Sequence, residues 1–226
     1  MHIRQWMTDD EIAAVSRRYV TERENVVSSR AERSGRSPGP KSVRGGWAFL
    51  QWLAVGLETI PTDQLSSGRD FSGAEALVIG PDVGGEQVTD LIAAYPGLRA
   101  VHIMDANADH LRTIGTKIED ALRARGLPVP VIDGYRINLL ELPAELRGRI
   151  DLVFDSNVFD RRYFTPTQLR QASEQIVAVL KTGGTHLSGG MPLEAYLPTD
   201  PMTRVSLPGV RDIVIRIKSN PPDRPH

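Results

Sequence analysis

The chain has 226 residues, enough for one well-filled domain and a modest extension but short for two full domains, so one principal core is expected. Its 27 basic and 28 acidic residues leave a formal net charge of -1, which gives no global field to draw in a polyanion or an anionic membrane surface. The absence of cysteine excludes disulfides, thiolate metal sites and cysteine nucleophiles, and with no leader-like start and no stretch of roughly 20 apolar residues, a soluble cytoplasmic protein is expected.

Thr8-Asp9-Asp10-Glu11 has the form of a capping box and precedes Ile12, Val15, Tyr19, Val26 and Val27 at near-helical spacing, which predicts a helix over 9–30. The segment 33–41, with its Gly and Pro residues, reads as an irregular linker, and a second helix is predicted over 43–58, carrying Trp47, Phe49, Leu50, Leu53 and Leu57. Residues 1–70 are thus read as an N-terminal helical extension and 71–226 as the main domain. From Ala74 the pattern changes to short apolar runs separated by helical stretches, the signature of a parallel sheet with crossover helices. Strands are predicted over 76–79, 100–104, 129–132 with a reach to 137, 150–154 and 186–188, and a last one over 212–218. Helices are predicted over 86–94, 109–125 and 165–180, the last with Thr165 as N-cap, Pro166 in its first turn and a stop at Gly183-Gly184. The fold class that follows is α/β, a doubly wound and mostly parallel sheet.

In such a sheet ligands bind outside the carboxyl ends of the strands, near the point where strand order reverses. After the first of these strands stands Gly80-Pro81-Asp82-Val83-Gly84-Gly85-Glu86, a glycine-rich turn that opens a helix and lets backbone approach a ligand. The next strand ends in Asp105, followed by Ala106 and Asn107; an acid at this place is the acceptor expected for two adjacent ribose hydroxyls. Turn and acid together point to a nucleoside-containing ligand. His102 and His186 lie inside strands and are read as packed or surface histidines rather than ligands, and no His/Asp/Glu cluster has metal-ligand spacing.

These residues, with Asp151-Leu-Val-Phe-Asp155-Ser156-Asn157-Val-Phe and Val179-Leu-Lys-Thr-Gly-Gly184, resemble the ordered motifs of class I S-adenosylmethionine-dependent methyltransferases, over about residues 74–190. The resemblance implies a Rossmann-like domain that takes S-adenosylmethionine as co-substrate, with Gly80, Pro81, Asp82 and Gly84 around its methionine part and Asp105 and Ala106 at its ribose. Asn138 and Leu139 would stand near the adenine, and Asp155, Ser156 and Asn157 at the floor of the reaction site. Two departures stand out: Val78 occupies a place where the family usually carries an acid, and Asp82 or Val83 replaces a glycine of the turn. Asp82 could supply the missing carboxylate to the ligand's amino group.

Asp155 and Tyr163 are the candidate bases toward an acceptor, and Asn157 offers a donor and an acceptor at the same strand end. The sequence after Asp155 does not spell the Asn-Pro-Pro-Tyr motif of many base methyltransferases, and little chain remains for a recognition module, so a small-molecule acceptor is expected, with no nucleic acid, membrane or metal; a homodimer is the candidate assembly. The altered turn keeps a second reading open: a non-methylating relative resembling azetidine-2-carboxylate synthases, in which the ligand's own amine closes a ring, or its aminobutyrate group is transferred, with release of methylthioadenosine. A third reading is a nucleoside-binding module without turnover. Trp6, Tyr19, Trp47, Phe49 and Trp52 are read as core residues or as a lid around a sulfonium, and Arg30, Arg33, Arg36, Lys41 and Arg44 as a solvated linker or a phosphate contact.

Overall fold

The computed structural model describes residues 1–5, 71–81, 84–105, 107–137, 140–156, 158, 165–189, 202–205 and 213–219. The two N-terminal helices, their aromatic residues and the basic linker expected from the sequence lie outside these residues. The elements in chain order are β1 (His2–Gln5), β2 (Glu75–Ile79), α1 (Glu86–Ala94), β3 (Ala100–Asp105), α2 (Ala108–Ala124), β4 (Val131–Arg136), a 3-10 turn (Ala144–Leu146), β5 (Ile150–Ser156), α3 (Pro166–Val179), β6 (Leu180–Gly189), β7 (Met202–Val205) and β8 (Ile213–Lys218). They build one eight-stranded sheet in the order β1-β4-β3-β2-β5-β6-β8-β7. All neighbours from β1 to β6 are parallel, whereas β8 runs antiparallel to both β6 and β7. The expected doubly wound, mostly parallel α/β sheet is what the chain forms.

Burial on both faces explains why the central strands read as continuous apolar runs. Ala76 and Val78 of β2 join a layer with Val88, Leu91 and Ile92 of α1 and Leu111, Ile114, Ile118 and Leu122 of α2. Leu77 and Ile79 point the other way, into a layer with Leu169, Ala172, Ile176 and Val179 of α3. The helical residues recur at three- and four-residue spacing, so each helix lays one apolar stripe on the sheet. Helix α3 starts as the sequence requires: Thr165 Oγ1 accepts from Gln168 N at 3.3 Å while Gln168 Oε1 accepts from Thr165 N at 2.8 Å.

The structure departs most from the sequence reading at the end of α3 and at the two edges of the sheet. α3 ends at Val179, before the two glycines, because buried Leu180 is extended and pairs with Ile150 as the first residue of β6. The next pair is Thr185 with Leu152, so residues 181–184 bulge out of register. Gly183 takes φ 75° in this bulge, and a Cβ on Gly184 would stand 2.8 Å from the Lys181 carbonyl oxygen. Strands β1 and β7 are additions to the expected set. β1 extends the sheet beyond β4, and the Met1 side chain seats against Gly115 of α2, its Cε 2.7 Å from where a Cβ would lie.

The connections β2-α1-β3-α2-β4 step outward on one side of β2, and the chain then returns to place β5 and β6 on the other side. The reversal therefore falls between β2 and β5, and their carboxyl ends mark the crevice where a ligand would lie.

Candidate functional site

Gly80 ends β2 at that reversal. Its N–H donates to the Met104 carbonyl of β3 at 2.9 Å, and its φ of 60° is a conformation that a Cβ disfavours. On the other side it meets the segment after β5: a Cβ on Gly80 would stand 2.8 Å from Val158 Cγ2. One glycine thus lets the tips of β3, β2 and β5 close on one another. Pro81 follows it and is buried, while Gly84 is exposed. Gly85 serves a different need. At φ 75° it is the N-cap of α1, and a Cβ there would reach within 2.8 Å of Ile118 Cγ1, so this glycine permits α1 to pack on α2.

Asp105 stands at the tip of β3, next to that glycine. Its Oδ1 accepts from the Asn107 N–H at 2.7 Å, and its Oδ2 is 2.7 Å from His110 Nδ1. A carboxylate oxygen only accepts, so the imidazole nitrogen carries the hydrogen. Asn107 in turn caps α2 by accepting from the N–H groups of Asp109 and His110 at 2.9 and 3.1 Å. The acid, the helix start and the histidine form one small rigid unit. Position 105 was legible in the sequence; His110 was missed, although it lies five residues on, within the first turn of the following helix.

Asp155, in register with Ile79 near the tip of β5, is buried at 1% exposure, and both its oxygens are engaged. Ser188 Oγ of β6 donates to Oδ1 at 2.8 Å, and His186 Nε2 lies 2.6 Å from Oδ2. Arg216 of β8 donates to His186 Nδ1. The ring therefore takes the tautomer with its hydrogen on Nε2, donated to Asp155. Burial, reinforced by the Arg216 charge, holds the His186 pKa below its ordinary value against the opposing pull of Asp155. Charge is thus conserved across three strands: a carboxylate and a guanidinium separated by a neutral imidazole. The order of donors is wrong for a hydrolytic triad, because the serine donates to the aspartate rather than to the histidine. Complete burial makes His186 the packed rather than the surface histidine of the sequence reading; its partner Arg216 was missed because the alternation of β8 reads only as a strand.

His102 is likewise buried, at the opposite end of the sheet. Its Nε2 lies 3.0 Å from Glu75 Oε2, and Glu75 also accepts from Arg149 at 3.1 Å and from Arg99. Burial alone would raise the Glu75 pKa, yet the His102 hydrogen bond and the Arg149 charge outweigh it and leave the carboxyl below its ordinary value.

Of the site residues expected from the sequence, Gly80, Pro81, Gly84, Asp105, Asp155 and Ser156 are described, and Gly80, Asp105 and Asp155 meet at adjacent strand tips. Asp82, Ala106, Asn138, Leu139, Asn157 and Tyr163 lie outside the described residues. Among the described residues no group of His, Asp and Glu could hold a metal ion, and no helix is long and apolar enough to cross a membrane.

No protein-family model matches the sequence, and no curated protein matches it. Among solved structures, TrmN from Thermus thermophilus matches with a TM-score of 0.51 at 17% identity, over 74% of this chain and 48% of the other, so the chain spans about half the length of that protein. A protein from Methanococcus maripaludis described as an S-adenosyl-L-methionine-dependent methyltransferase matches with a TM-score of 0.50 at 13% identity, over 83% of this chain and 99% of the other. At such identities the likeness is one of fold. With its strand order, its reversal between β2 and β5 and these neighbours, the chain has the fold of the class I S-adenosylmethionine-dependent methyltransferases.

Proposed function

We propose that the chain binds S-adenosylmethionine in the crevice between the tips of β2, β3 and β5 and acts as a transferase of the methyltransferase type on a small molecule. The observation that carries this reading is the junction of Gly80 and Asp105: the glycine N–H is bonded to the residue preceding the acid, at the point where the sheet reverses. A carboxylate has about four acceptor positions, and among the described residues two on Asp105 are taken, by Asn107 and His110, which leaves one on each oxygen. That number matches two adjacent ribose hydroxyls, which is the fit expected for the nucleoside end of the ligand. The bound sulfonium supplies an activated methyl group, and the protein's part is to hold the acceptor in line with it. Asp82 is proposed to meet the ligand's amino group, Ala106 the ribose, and Asn138 and Leu139 the adenine.

Asp155 has a role of its own in this reading. With both oxygens held by His186 and Ser188, it anchors the tip of β5, and acceptance of the acceptor's proton is assigned to Tyr163. The partner is a small molecule because the chain carries no net basic excess.

The test is to incubate the pure protein with S-adenosylmethionine alone and then with small hydroxyl and amine acceptors, and to identify the nucleoside product by mass. S-adenosylhomocysteine formed only with an acceptor is the expected result. Methylthioadenosine without acceptor would replace methyl transfer by cyclisation or aminobutyrate chemistry, and neither product, with binding retained, would leave a nucleoside-binding module.

A further inference from the structure

We propose that His110 is the residue that makes this site selective for a ribose with both hydroxyls unmodified, acting as a positioning residue through Asp105. The inference rests on the nucleoside site proposed above and goes beyond it in naming the residue and the part of the ligand that it reads. A carboxylate at a strand tip ordinarily rotates about its terminal torsion, which is broad and soft. Here it is held at both ends: the Asn107 N–H fixes Oδ1 at 2.7 Å and the His110 Nδ1–H fixes Oδ2 at 2.7 Å. The histidine is itself fixed, because its own N–H is bonded to Asn107 Oδ1 at 3.1 Å as part of the α2 cap. The side chains of Asp105 and His110 are 18% and 14% exposed, so the pair is accessible to a ligand yet shielded enough for its hydrogen bonds to keep their strength.

The consequence is a difference in selectivity rather than in charge. A locked carboxylate presents its two remaining acceptor positions in one fixed geometry, which suits a cis diol. A ligand that lacks the 2′-hydroxyl leaves one of them unpaired, and a site built to bond a hydroxyl rejects the analogue without it. A free carboxylate would turn to share both oxygens with a single hydroxyl, and much of that rejection would vanish. A 2′-phosphate would set like charges against each other whichever way the carboxylate turned, so the deoxy analogue is the informative probe.

The experiment is calorimetric titration of S-adenosylhomocysteine and of its 2′-deoxy analogue into the wild-type chain, His110→Ala and His110→Asn. Asn is chosen because its amide nitrogen stands near the place of Nδ1 and can donate to Asp105. The wild type is expected to bind the ribose form about tenfold more tightly than the deoxy form, the scale of one hydrogen bond to a charged acceptor. His110→Ala should weaken the ribose form by about tenfold and reduce the ratio to about two, while His110→Asn should restore most of that ratio. An unchanged ratio in His110→Ala overturns the proposal, whether affinity is kept or falls equally for both ligands; a restored affinity without a restored ratio in His110→Asn does the same. Failure of the wild type to bind S-adenosylhomocysteine at all overturns the site itself, which is a separate result from a wild type that binds and an Ala variant that discriminates as well as it does. His110 lies on the first turn of α2 outside the apolar layers, and the Asn variant keeps the local hydrogen bond, so a folded comparison is available even where the Ala variant is poorly soluble.

Discussion

Gly80, like Gly85, combines a positive φ with a close approach that a Cβ would obstruct. Its φ of 60° costs a residue with a Cβ about 1 to 2 kcal/mol, and that Cβ would meet Val158 Cγ2 at 2.8 Å. Gly126, at φ 65°, has nothing within 4 Å of its Cβ position. Gly126→Ala is therefore expected to cost about 1 kcal/mol by denaturant unfolding and Gly80→Ala about 2 or more, and equal losses would show that Val158 yields freely. His186 supports a second prediction, from pH. Its folded pKa lies below the ordinary 6.5, so below about pH 6.5 the unfolded chain binds a proton that the folded chain does not. Its contribution is present in full above that pH and is lost as pH falls, by at most about 1.4 kcal/mol per unit. The midpoint of unfolding in urea should thus decline from pH 7 to pH 5 more steeply in the wild type than in His186→Gln; parallel slopes would mean that the imidazole charges in place beside Arg216. At this scale the sequence disclosed Gly80 and Asp105, because each sits at a fixed offset from an apolar run. The bond of Ser188 to Asp155 and the partnership of Arg216 with His186 were hidden, since partnership across strands has no sequence offset to read; His110 lies only five residues past Asp105 and was simply missed.

At the scale of elements, legibility followed burial. α1 spans Glu86–Ala94, as its apolar spacing predicts, and β2, β3 and β5 differ from the expected strands by one or two residues at an end. The elements missed are edge pieces. β1 is His-Ile-Arg-Gln and β7 is Met-Thr-Arg-Val, each with one sheet neighbour and with polar residues that a strand buried on both faces would not carry. The end of α3 was misplaced for another reason. Two glycines signal a helix stop, yet Leu180 gains a buried place on β5 by leaving the helix earlier. The carbonyls so exposed are met by Lys218 from β8, whose Nζ donates to the oxygens of Val177 and Leu180, both at 2.7 Å. Burial lowers the pKa of this lysine, but two short bonds to helix-end carbonyls favour its charged form there. Lys218→Met keeps the apolar stem and removes both bonds. A loss of about 1 to 2 kcal/mol is expected by urea unfolding, with the largest rise in amide hydrogen exchange in the last turn of α3. An increase spread evenly over the sheet would instead make Lys218 a part of the general core.

Across the whole molecule the sheet has two chemically different ends. At the amino ends of its strands Glu75 is a buried carboxylate tied to Arg99, Arg149 and His102, a set that holds β2, β3 and the turn before β5 together. At the carboxyl ends Asp105 is a partly exposed carboxylate with acceptor positions left over. Removing charge at the first should therefore affect the fold, and at the second the ligand. A ligand that binds only the folded state at 100 times its Kd adds about 2.7 kcal/mol, which for a chain of this size raises Tm by roughly 5 to 10 °C. In a thermal melt with S-adenosylhomocysteine, Glu75→Gln is expected to destabilise the unliganded chain by roughly 2 to 3 kcal/mol, given that its arginine partners are half exposed, so that its Tm falls while the ligand-induced rise is kept. Asp105→Asn should leave the unliganded Tm within a few degrees and lose most of that rise. The reverse pattern, a rise abolished by Glu75→Gln and untouched by Asp105→Asn, would move the binding site to the other end of the sheet and away from the strand-order reversal that now locates it.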